Sequence, residues 1–299
     1  MRVLIVGVGG VGGYIASQLI KNTDAEVTLL ARGEHLKKIQ KDSLHIIEDN
    51  ATYTVKPSKA IDDPKNEGIF DFIVISVKSY DLESVVQKLS NNIDSKTTIL
   101  PLLNGIDHDL TIKKYYPDAK ILKGCIYIVS HILEPGVVTK KGNVFKLCWG
   151  DIDATIEDFS NIAALFDAAN LRHKFSNNID YEIWKKYLFI AAMAALTSYY
   201  NKSMDQIAHE HTQELEALLH EIVTLAQAKS INLTNKEIQA TLKQAQKVTI
   251  GAKTSMQRDL ERGKRSEIES LLGYIVKSAK NFNLKVPIIE KIYLSLKES

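Results

Sequence analysis

Short apolar runs alternate with amphipathic stretches over the first half of the chain. The runs are rich in valine, isoleucine and leucine and lack strict alternation, which is typical of parallel strands buried on both faces. Apolar residues between the runs recur at helical spacing, so the pattern predicts βαβ units. The predicted strands are Val3–Val6, Val27–Leu30, Phe72–Val77, Thr98–Leu103 and Ala119–Ile128.

The pattern changes after the last of these runs. Pro135-Gly136 and Lys141-Gly142-Asn143 are turn signals between β-rich segments, and they predict antiparallel strands at the sheet edge. Helical periodicity then predicts helices over Ile156–Asn170, Tyr181–Tyr200, Thr212–Ser230, Asn235–Val248, Ser266–Phe282 and Ile288–Leu296. The sequence therefore predicts an α/β domain over residues 1–174 and an all-helical domain over residues 175–299, with a ligand cleft between them.

A glycine-rich turn follows the first predicted strand. In "VLIVGVGGVGGYIASQL", Gly7, Gly9 and Gly12 have G-x-G-x-x-G spacing between a strand and an amphipathic helix. The first glycine permits a tight turn, the second lets the backbone approach a pyrophosphate, and the third allows close helix–strand packing. A glycine turn kept only for packing is the alternative. We expect a Rossmann domain whose dinucleotide is held by Gly7, Val8, Gly9, Gly10, Val11 and Gly12.

The second strand, "EVTLLAR", indicates which dinucleotide binds. It ends in Arg32, at the place where an NAD site usually carries an acid for the ribose 2′-hydroxyl. Arginine there suits a 2′-phosphate, and Lys78, after the strand "DFIVISVK", offers a second cation. Glu34 is a competing acid nearby. The sequence thus favours NADP(H), with a solvated surface arginine as the alternative.

Composition narrows the range of partners. The 299 residues carry 38 basic and 36 acidic side chains, a net charge of +2 that is spread along the chain, so neither nucleic acid nor a membrane is expected as a partner. The glycine turn does not suit a signal peptide, and two cysteines without CxxC spacing fit a reducing cytoplasm. His209 and His211 are interpreted as surface histidines, so no metal is predicted. The amphipathic C-terminal helices fit a homodimer face and an intradomain core equally well.

Two adjacent lysines precede the most apolar helical run, in "DYEIWKKYLFIAAMAALTS". A lysine at such a place either snorkels to water or lies partly desolvated in a cleft, where proton transfer becomes useful. Because neighbours on a helix are rotated by about 100°, Lys185 and Lys186 cannot both face the same surroundings. We expect Lys186 to be the desolvated lysine and Lys185 the solvated one.

Three further stretches resemble the ketopantoate reductase (2-dehydropantoate 2-reductase) family. They are "LLNGID" at 102–107, "EIWKKYL" at 182–188 and "TSMQRDLERGKRSEIESLLGYI" at 254–275, and they occur in the family's order over nearly the whole chain. The resemblance implies a Rossmann domain followed by a helical domain like that of 6-phosphogluconate dehydrogenase. It also implies that NADPH delivers hydride to the C2 ketone of a 2-keto acid while a lysine protonates the oxygen.

The resemblance assigns roles to single residues. It makes Lys186 the general acid, Glu267 the acid that helps to hold the active site, and Ser255 a hydrogen-bonding partner of the substrate. Asn104 would lie near the nicotinamide and substrate, and Arg32 and Lys78 near the adenosine phosphate. The expected reaction is 2-dehydropantoate to pantoate, a step of pantothenate biosynthesis. Each of two residues also has a simpler interpretation. Asn104-Gly105 is a common turn dipeptide, and Glu267 is an acid that would favour the first turn of a helix.

Three positions depart from the family pattern. Ile190, Ala194 and Ala252 stand where the family often has asparagine. A related enzyme for a more apolar 2-keto acid therefore stays open, with carboxylate recognition moved to Ser255, Arg258, Arg262 or Arg265. Compensating groups such as Thr197, Ser198 or Asn201 would instead retain 2-dehydropantoate. A β-hydroxy acid dehydrogenase and a non-catalytic NADPH-binding sensor are the remaining alternatives.

Overall fold

The computed structural model describes residues 1–298. Their contacts divide into two compact units. The first joins Met1–Leu103 to Asp107–Ile179, and the second joins Asn104–Ile106 to the residues from Asp180 onward. Within residues 1–298, no helix combines the length and apolar character that crossing a bilayer requires.

The first unit contains two sheets and the helices that pack on them. Its strands are β1 (Arg2–Val6), β2 (Glu26–Leu30), β3 (Leu44–Glu48), β4 (Ala51–Val55), β5 (Lys59–Ile61), β6 (Phe72–Ile75), β7 (Thr98–Pro101), β8 (Lys120–Ile121), β9 (Lys123–Glu134), β10 (Val137–Gly150) and β11 (His173–Phe175). Its helices are α1 (Gly10–Asn22), α2 (Gly33–Asp42), α3 (Leu82–Gln87), α4 (His108–Tyr115) and α5 (Ser160–Ala168).

The first sheet is parallel throughout and has the order β5-β2-β1-β6-β7-β8. Successive side chains of a strand point to opposite faces, so an apolar run such as β1 feeds two cores. Val3 and Ile5 join the cluster that also contains α1, whereas Leu4 and Val6 join the cluster on the opposite face. This accounts for the continuous apolar runs and confirms the predicted Rossmann-like parallel sheet.

The second sheet was only partly anticipated. β9 and β10 form the expected antiparallel pair, but they belong to a separate sheet with β3, β4 and β11 and not to the edge of the parallel sheet. The single strand predicted over Ala119–Ile128 is wrong, because β8 ends at Ile121 and β9 begins at Lys123 in the other sheet. The turn predicted at Lys141–Asn143 is wrong too: β10 runs through it, with a register irregularity between Lys140 and Phe145.

The second unit is helical, as predicted. It comprises α6 (Ile179–Tyr200), α7 (Met204–Glu210), α8 (Thr212–Ala228), α9 (Asn235–Ala245), α10 (Ser255–Glu261), a π-helical turn (Glu269–Gly273), α11 (Tyr274–Asn281) and α12 (Pro287–Glu298). The short helices α7 and α10 were missed, because two turns offer too little periodicity to detect. α12 begins at Pro287, one residue before the predicted start at Ile288, and the first turn of a helix tolerates the missing N–H of proline. The unit's apolar core extends along α6, which is buried over most of its length.

Candidate active site

The turn between β1 and α1 is built from glycines with different surroundings. Gly7 has φ +89, a left-handed conformation that favours glycine, and a Cβ there would lie 2.7 Å from Val77 Cγ1. A Cβ on Gly12 would lie 2.1 Å from the Gly7 carbonyl oxygen and 2.3 Å from Ser76 Oγ. Gly7 and Gly12 are therefore required by the packing of the turn itself.

Gly9 is the exception in this turn. It is the N-cap of α1, and a Cβ built on it meets no atom within 4 Å. A Cβ on the next residue, Gly10, would lie 2.4 Å from the Ser130 carbonyl oxygen of β9. The N-terminus of a helix presents unpaired N–H groups and a partial positive charge, which suits a pyrophosphate. The open space at Gly9 fits a dinucleotide that approaches the backbone at this point.

Arg32 lies two residues beyond β2 and is the N-cap of α2. Its side chain is 80% exposed, and Nη2 donates to Asp81 Oδ2 at 2.7 Å. Asp81 ends a 3-10 turn, Ser79–Asp81, that follows β6 and has Lys78 as its N-cap. The ion pair thus joins Arg32 to the turn that Lys78 begins, through an acid for which the sequence offers no signal.

α6 gives Lys185 and Lys186 opposite surroundings. Lys185 is exposed, with its Nζ 5.9 Å from the centre of the Tyr181 ring. Lys186 is only 9% exposed, and its Nζ donates to Asn104 Oδ1 at 2.9 Å. The expectation that the helix buries Lys186 and leaves Lys185 in water is confirmed.

Asn104 reaches Lys186 because the chain leaves β7 and turns sharply. Asn104 follows the strand by three residues, and Gly105 has φ +127, a conformation that favours glycine. Residues Asn104–Ile106 belong to the same compact unit as α6. The NG dipeptide is therefore a turn, and the same turn presents the amide to Lys186.

Glu267 lies just before the π-helical turn and is 4% exposed. Its carbonyl oxygen accepts from Leu271 N at 3.0 Å and from Ser270 Oγ at 3.1 Å. The Leu271 carbonyl in turn accepts from Tyr187 Oη at 2.5 Å. Tyr187 follows Lys186 in sequence, so one hydroxyl joins the lysine-bearing helix to the segment that carries Glu267.

Ser255 occupies a different part of the second unit from the Lys186–Asn104 pair. It is the first residue of α10, whose N-cap Thr254 accepts from Gln257 N at 3.2 Å. Thr254 Oγ1 is 3.1 Å from Thr197 Oγ1 of α6. Thr197 is eleven residues beyond Lys186, which corresponds to about 16 Å along a helix. Ser255 is thus placed beside the C-terminal half of α6.

The α6 face between these two polar regions is apolar. Ile190 and Ala194 follow Lys186 at helical spacings of four and eight residues; Ile190 is half-buried and Ala194 is buried. The Ala252 carbonyl accepts a hydrogen bond from Met204 N at 2.8 Å.

Two buried polar atoms lie further along, Ser198 Oγ and Gln257 Oε1, and neither has a hydrogen-bond partner in the structure. Gln257 had no sequence signal, since a glutamine in a short helix is ordinary.

Known proteins with the same organisation identify the family. The family model described as ketopantoate reductase PanE/ApbA matches residues 3–153, and the model of that family's C-terminal domain matches residues 178–298. The chain belongs to the ketopantoate reductase family. As a member it is an oxidoreductase that uses a nicotinamide dinucleotide and a small keto acid.

Individual relatives and solved structures match this member of the ketopantoate reductase family over nearly its whole length. An uncharacterized oxidoreductase of Bacillus subtilis strain 168, YkpB, is 28% identical over 99% of this chain and 98% of its own length. The crystal structure of 2-dehydropantoate 2-reductase from Porphyromonas gingivalis W83 has 30% identity and a TM-score of 0.87, with 99% of both chains covered. The ternary structure of D-mandelate dehydrogenase with NADH and anilino(oxo)acetate has a TM-score of 0.91 over 100% of this chain and 98% of that one; at 22% identity it shows a shared fold alone.

No group of three or more histidine, cysteine or acidic side chains suited to a metal ion occurs in residues 1–298. His209 lies in α7 and His211 at the junction of α7 and α8. His211 stacks on Tyr200 with ring centroids 3.9 Å apart and comes within 3.2 Å of Lys202 Nζ. These contacts give His211 a packing role at the end of α6.

Proposed function

We propose that this protein reduces the C2 ketone of 2-dehydropantoate to pantoate with NADPH, and that Lys186 is the general acid. The observation that carries the proposal is the pairing of a buried Lys186 with Asn104, at 2.9 Å between Nζ and Oδ1. A lysine that merely snorkelled would have its ammonium in water, as Lys185 has.

The chemistry needs a positioned proton donor. The nicotinamide cofactor, when bound, supplies the hydride, and negative charge then develops on the carbonyl oxygen. An ammonium within hydrogen-bond reach stabilises that charge and provides the proton. An ammonium has three N–H donors, and the Asn104 amide fixes the direction of one of them. Asn104 therefore limits the rotation of the Lys186 head group and helps to aim it.

Glu267 and Ser255 are proposed to complete the site. Glu267 is a buried acid on the segment that Tyr187 ties to α6, a location suited to holding the active site. Ser255 begins α10 and is half-buried, and its neighbour Thr254 contacts Thr197 well beyond Lys186 on α6. Its hydroxyl is therefore proposed to hydrogen-bond the end of the substrate that is remote from the ketone. The cofactor is proposed to lie on residues 7–12, with Arg32 and Lys78 near its 2′-phosphate, and the open space at Gly9 supports that placement.

A second substrate class has a specific observation in its favour. Ile190 is half-buried on the face of α6 that carries Lys186, and Ala194 follows it. Neither side chain can hydrogen-bond the 4-hydroxyl of 2-dehydropantoate. A 2-keto acid with a more apolar tail suits this surface better, because a methylene group in an apolar environment is stabilised by about 0.8 kcal/mol.

The test is cofactor oxidation by the full-length protein, followed by nicotinamide absorbance. 2-Dehydropantoate is compared with 2-keto acids that carry apolar tails of increasing size. Highest kcat/KM with 2-dehydropantoate supports the first proposal, and preference for an apolar acid supports the second. NADPH binding without turnover on any substrate would leave a sensor as the function.

The lysine assignment is tested with a matched pair of variants. Lys186→Ala is expected to lower kcat by about a hundredfold or more, the scale of general acid catalysis, with NADPH binding retained. Lys185→Ala removes the same charge from the next residue of the helix and is expected to change kcat less than threefold. Equal losses in both variants, or an unimpaired Lys186→Ala, would exclude Lys186 as the acid.

A further inference from the structure

The Arg32–Asp81 ion pair connects two parts of the candidate cofactor site. Arg32 follows β2 and Asp81 follows β6, and the two residues are 49 positions apart in sequence. The carboxylate is the more enclosed partner, at 19% exposure against 80% for the guanidinium. The backbone also holds the Asp81 turn, since Asp81 N donates to the Lys78 carbonyl at 2.9 Å. Asp81 is therefore the enclosed acceptor of the pair, and the exposed Arg32 guanidinium is the partner on the solvent side.

Charged side chains of both signs lie around this position. Arg32 and Lys78 are positive, whereas Asp81 and Glu34 are negative. Glu34 lies in the first turn of α2, and its carboxylate accepts from Lys37 Nζ at 2.6 Å. Lys37 thus neutralises Glu34 locally, and Asp81 is the acid that contacts Arg32 directly. A phosphate that needs Arg32 has to share it with Asp81.

We propose that Asp81 is a specificity-determining residue, which lowers the protein's preference for NADPH over NADH by competing with the 2′-phosphate for Arg32. The inference rests on the proposed placement of the cofactor's adenosine phosphate near Arg32. NADH carries a 2′-hydroxyl in place of the phosphate, so it binds without disturbing the ion pair. NADPH has to weaken that ion pair and also brings a second anion close to the Asp81 carboxylate.

The size of the effect follows from the exposure of the pair. Exposed ion pairs and charge repulsion at a solvated site each change a binding constant by a few-fold. Removal of the Asp81 charge is therefore expected to tighten NADPH binding by roughly three- to tenfold. NADH binding is expected to change by less than about twofold. The effect should shrink in high salt, because exposed charges are screened.

The experiment measures dissociation constants of NADPH and NADH by nicotinamide fluorescence with the full-length protein. Asp81→Asn keeps the side-chain shape and removes the charge. Glu34→Gln is the matched control, since it removes an equal charge near Arg32 from an acid that pairs with Lys37 instead. A rise in the NADPH preference of Asp81→Asn that clearly exceeds the rise in Glu34→Gln supports the proposal. An unchanged or lowered NADPH preference, or equal changes in both variants, overturns it.

A second background separates competition for Arg32 from simple repulsion. With Arg32→Ala already in place, only the repulsion between Asp81 and the phosphate remains, so Asp81→Asn is expected to change the cofactor ratio clearly less than it does in the wild-type background. The same fold-change in both backgrounds would overturn the competition for Arg32. The NADPH assignment is judged separately, on wild type and Arg32→Ala alone. Equal affinity of wild type for both cofactors speaks against that assignment, whereas the role of Asp81 depends only on how the ratio changes.

Discussion

Replacing Gly9 and Gly12 of the same turn by alanine should have different effects, one on cofactor binding and the other on stability. Gly12 is enclosed: a Cβ there would lie 2.1 Å from the Gly7 carbonyl oxygen, a backbone atom that cannot rotate away. Gly9 is open, with no atom within 4 Å of a Cβ and with φ −81, which alanine adopts without strain. Gly12→Ala therefore tests the packing of the turn, and Gly9→Ala tests what binds to it.

The magnitudes can be worked from these surroundings. Overpacking at Gly12 costs about 1–3 kcal/mol, against which alanine recovers about 0.5–1 kcal/mol of helix propensity. We expect Gly12→Ala to lose about 1–2 kcal/mol of stability, which lowers Tm by several degrees in a chain of this size. Gly9→Ala is expected to lose at most about 0.5–1 kcal/mol of stability, because alanine is a poorer N-cap residue than glycine. A Cβ on Gly9 would, however, keep a pyrophosphate from the helix N–H groups, whose charge-assisted hydrogen bonds contribute about 1.5–3 kcal/mol.

The assay combines a thermal melt without cofactor and a fluorescence titration with NADPH. Gly9→Ala is expected to melt close to the wild type while its NADPH Kd rises about ten- to a hundredfold. Gly12→Ala is expected to melt several degrees lower. If Gly9→Ala binds NADPH as tightly as the wild type, the dinucleotide does not approach the backbone at Gly9. If Gly9→Ala is destabilised as much as Gly12→Ala, the open space at Gly9 has been misjudged.

Three further changes have expected outcomes of their own. Hydrogen bonds, first from Lys277, lower the pKa of Glu269 to about 2. The ionised carboxylate therefore stabilises the fold above the ordinary pKa of glutamate, and this stabilisation is lost as the pH falls towards 2. Glu269→Gln should cost about 1 kcal/mol of stability near neutral pH, because solvent weakens these contacts, and the Tm values of the variant and the wild type should converge near pH 2. Tyr187→Phe removes the buried donor to the Leu271 carbonyl and should lower the urea midpoint by an equivalent of about 1–3 kcal/mol; no shift would mean that water replaces the hydroxyl. Ile190→Asn should raise kcat/KM for 2-dehydropantoate relative to an apolar 2-keto acid, and a fall in that ratio would remove Ile190 from substrate selection.

The parallel sheet could be predicted because its strands are buried on both faces. A run such as Phe72–Ile75 is apolar at every position, so it stands out against amphipathic helices. β4 has exposed or half-buried positions up to Val55 and offers no such signal. The misread turn at Lys141–Asn143 has a different cause: glycine and asparagine also suit an irregularity within a long strand, and only pairing with β9 distinguishes the two.

Some residues of the candidate site could likewise be predicted from the sequence, and others could not. Lys186 could be distinguished from Lys185 because helix geometry rotates adjacent residues apart, a local rule that needs no tertiary information. The Arg32–Asp81 pair could not be found, because an acid after one strand and a base after another are common and only the order of strands brings these two together. Tyr187 was likewise hidden in an aromatic run in which any member could pack in the core.

The arrangement of groups along α6 bears on which 2-keto acid fits. Lys186 and Thr197 are the polar ends of one helical face, about 16 Å apart along the axis, and Ile190 and Ala194 lie between them. A hydroxyl one or two carbons beyond the ketone would lie against that apolar interval, where losing its water without a partner costs about 1–3 kcal/mol. The same interval would stabilise a branched or aromatic tail. Unless Ser255 or another segment supplies a partner for that hydroxyl, α6 is expected to favour an apolar tail, and the proposed protonation by Lys186 is the same for either substrate.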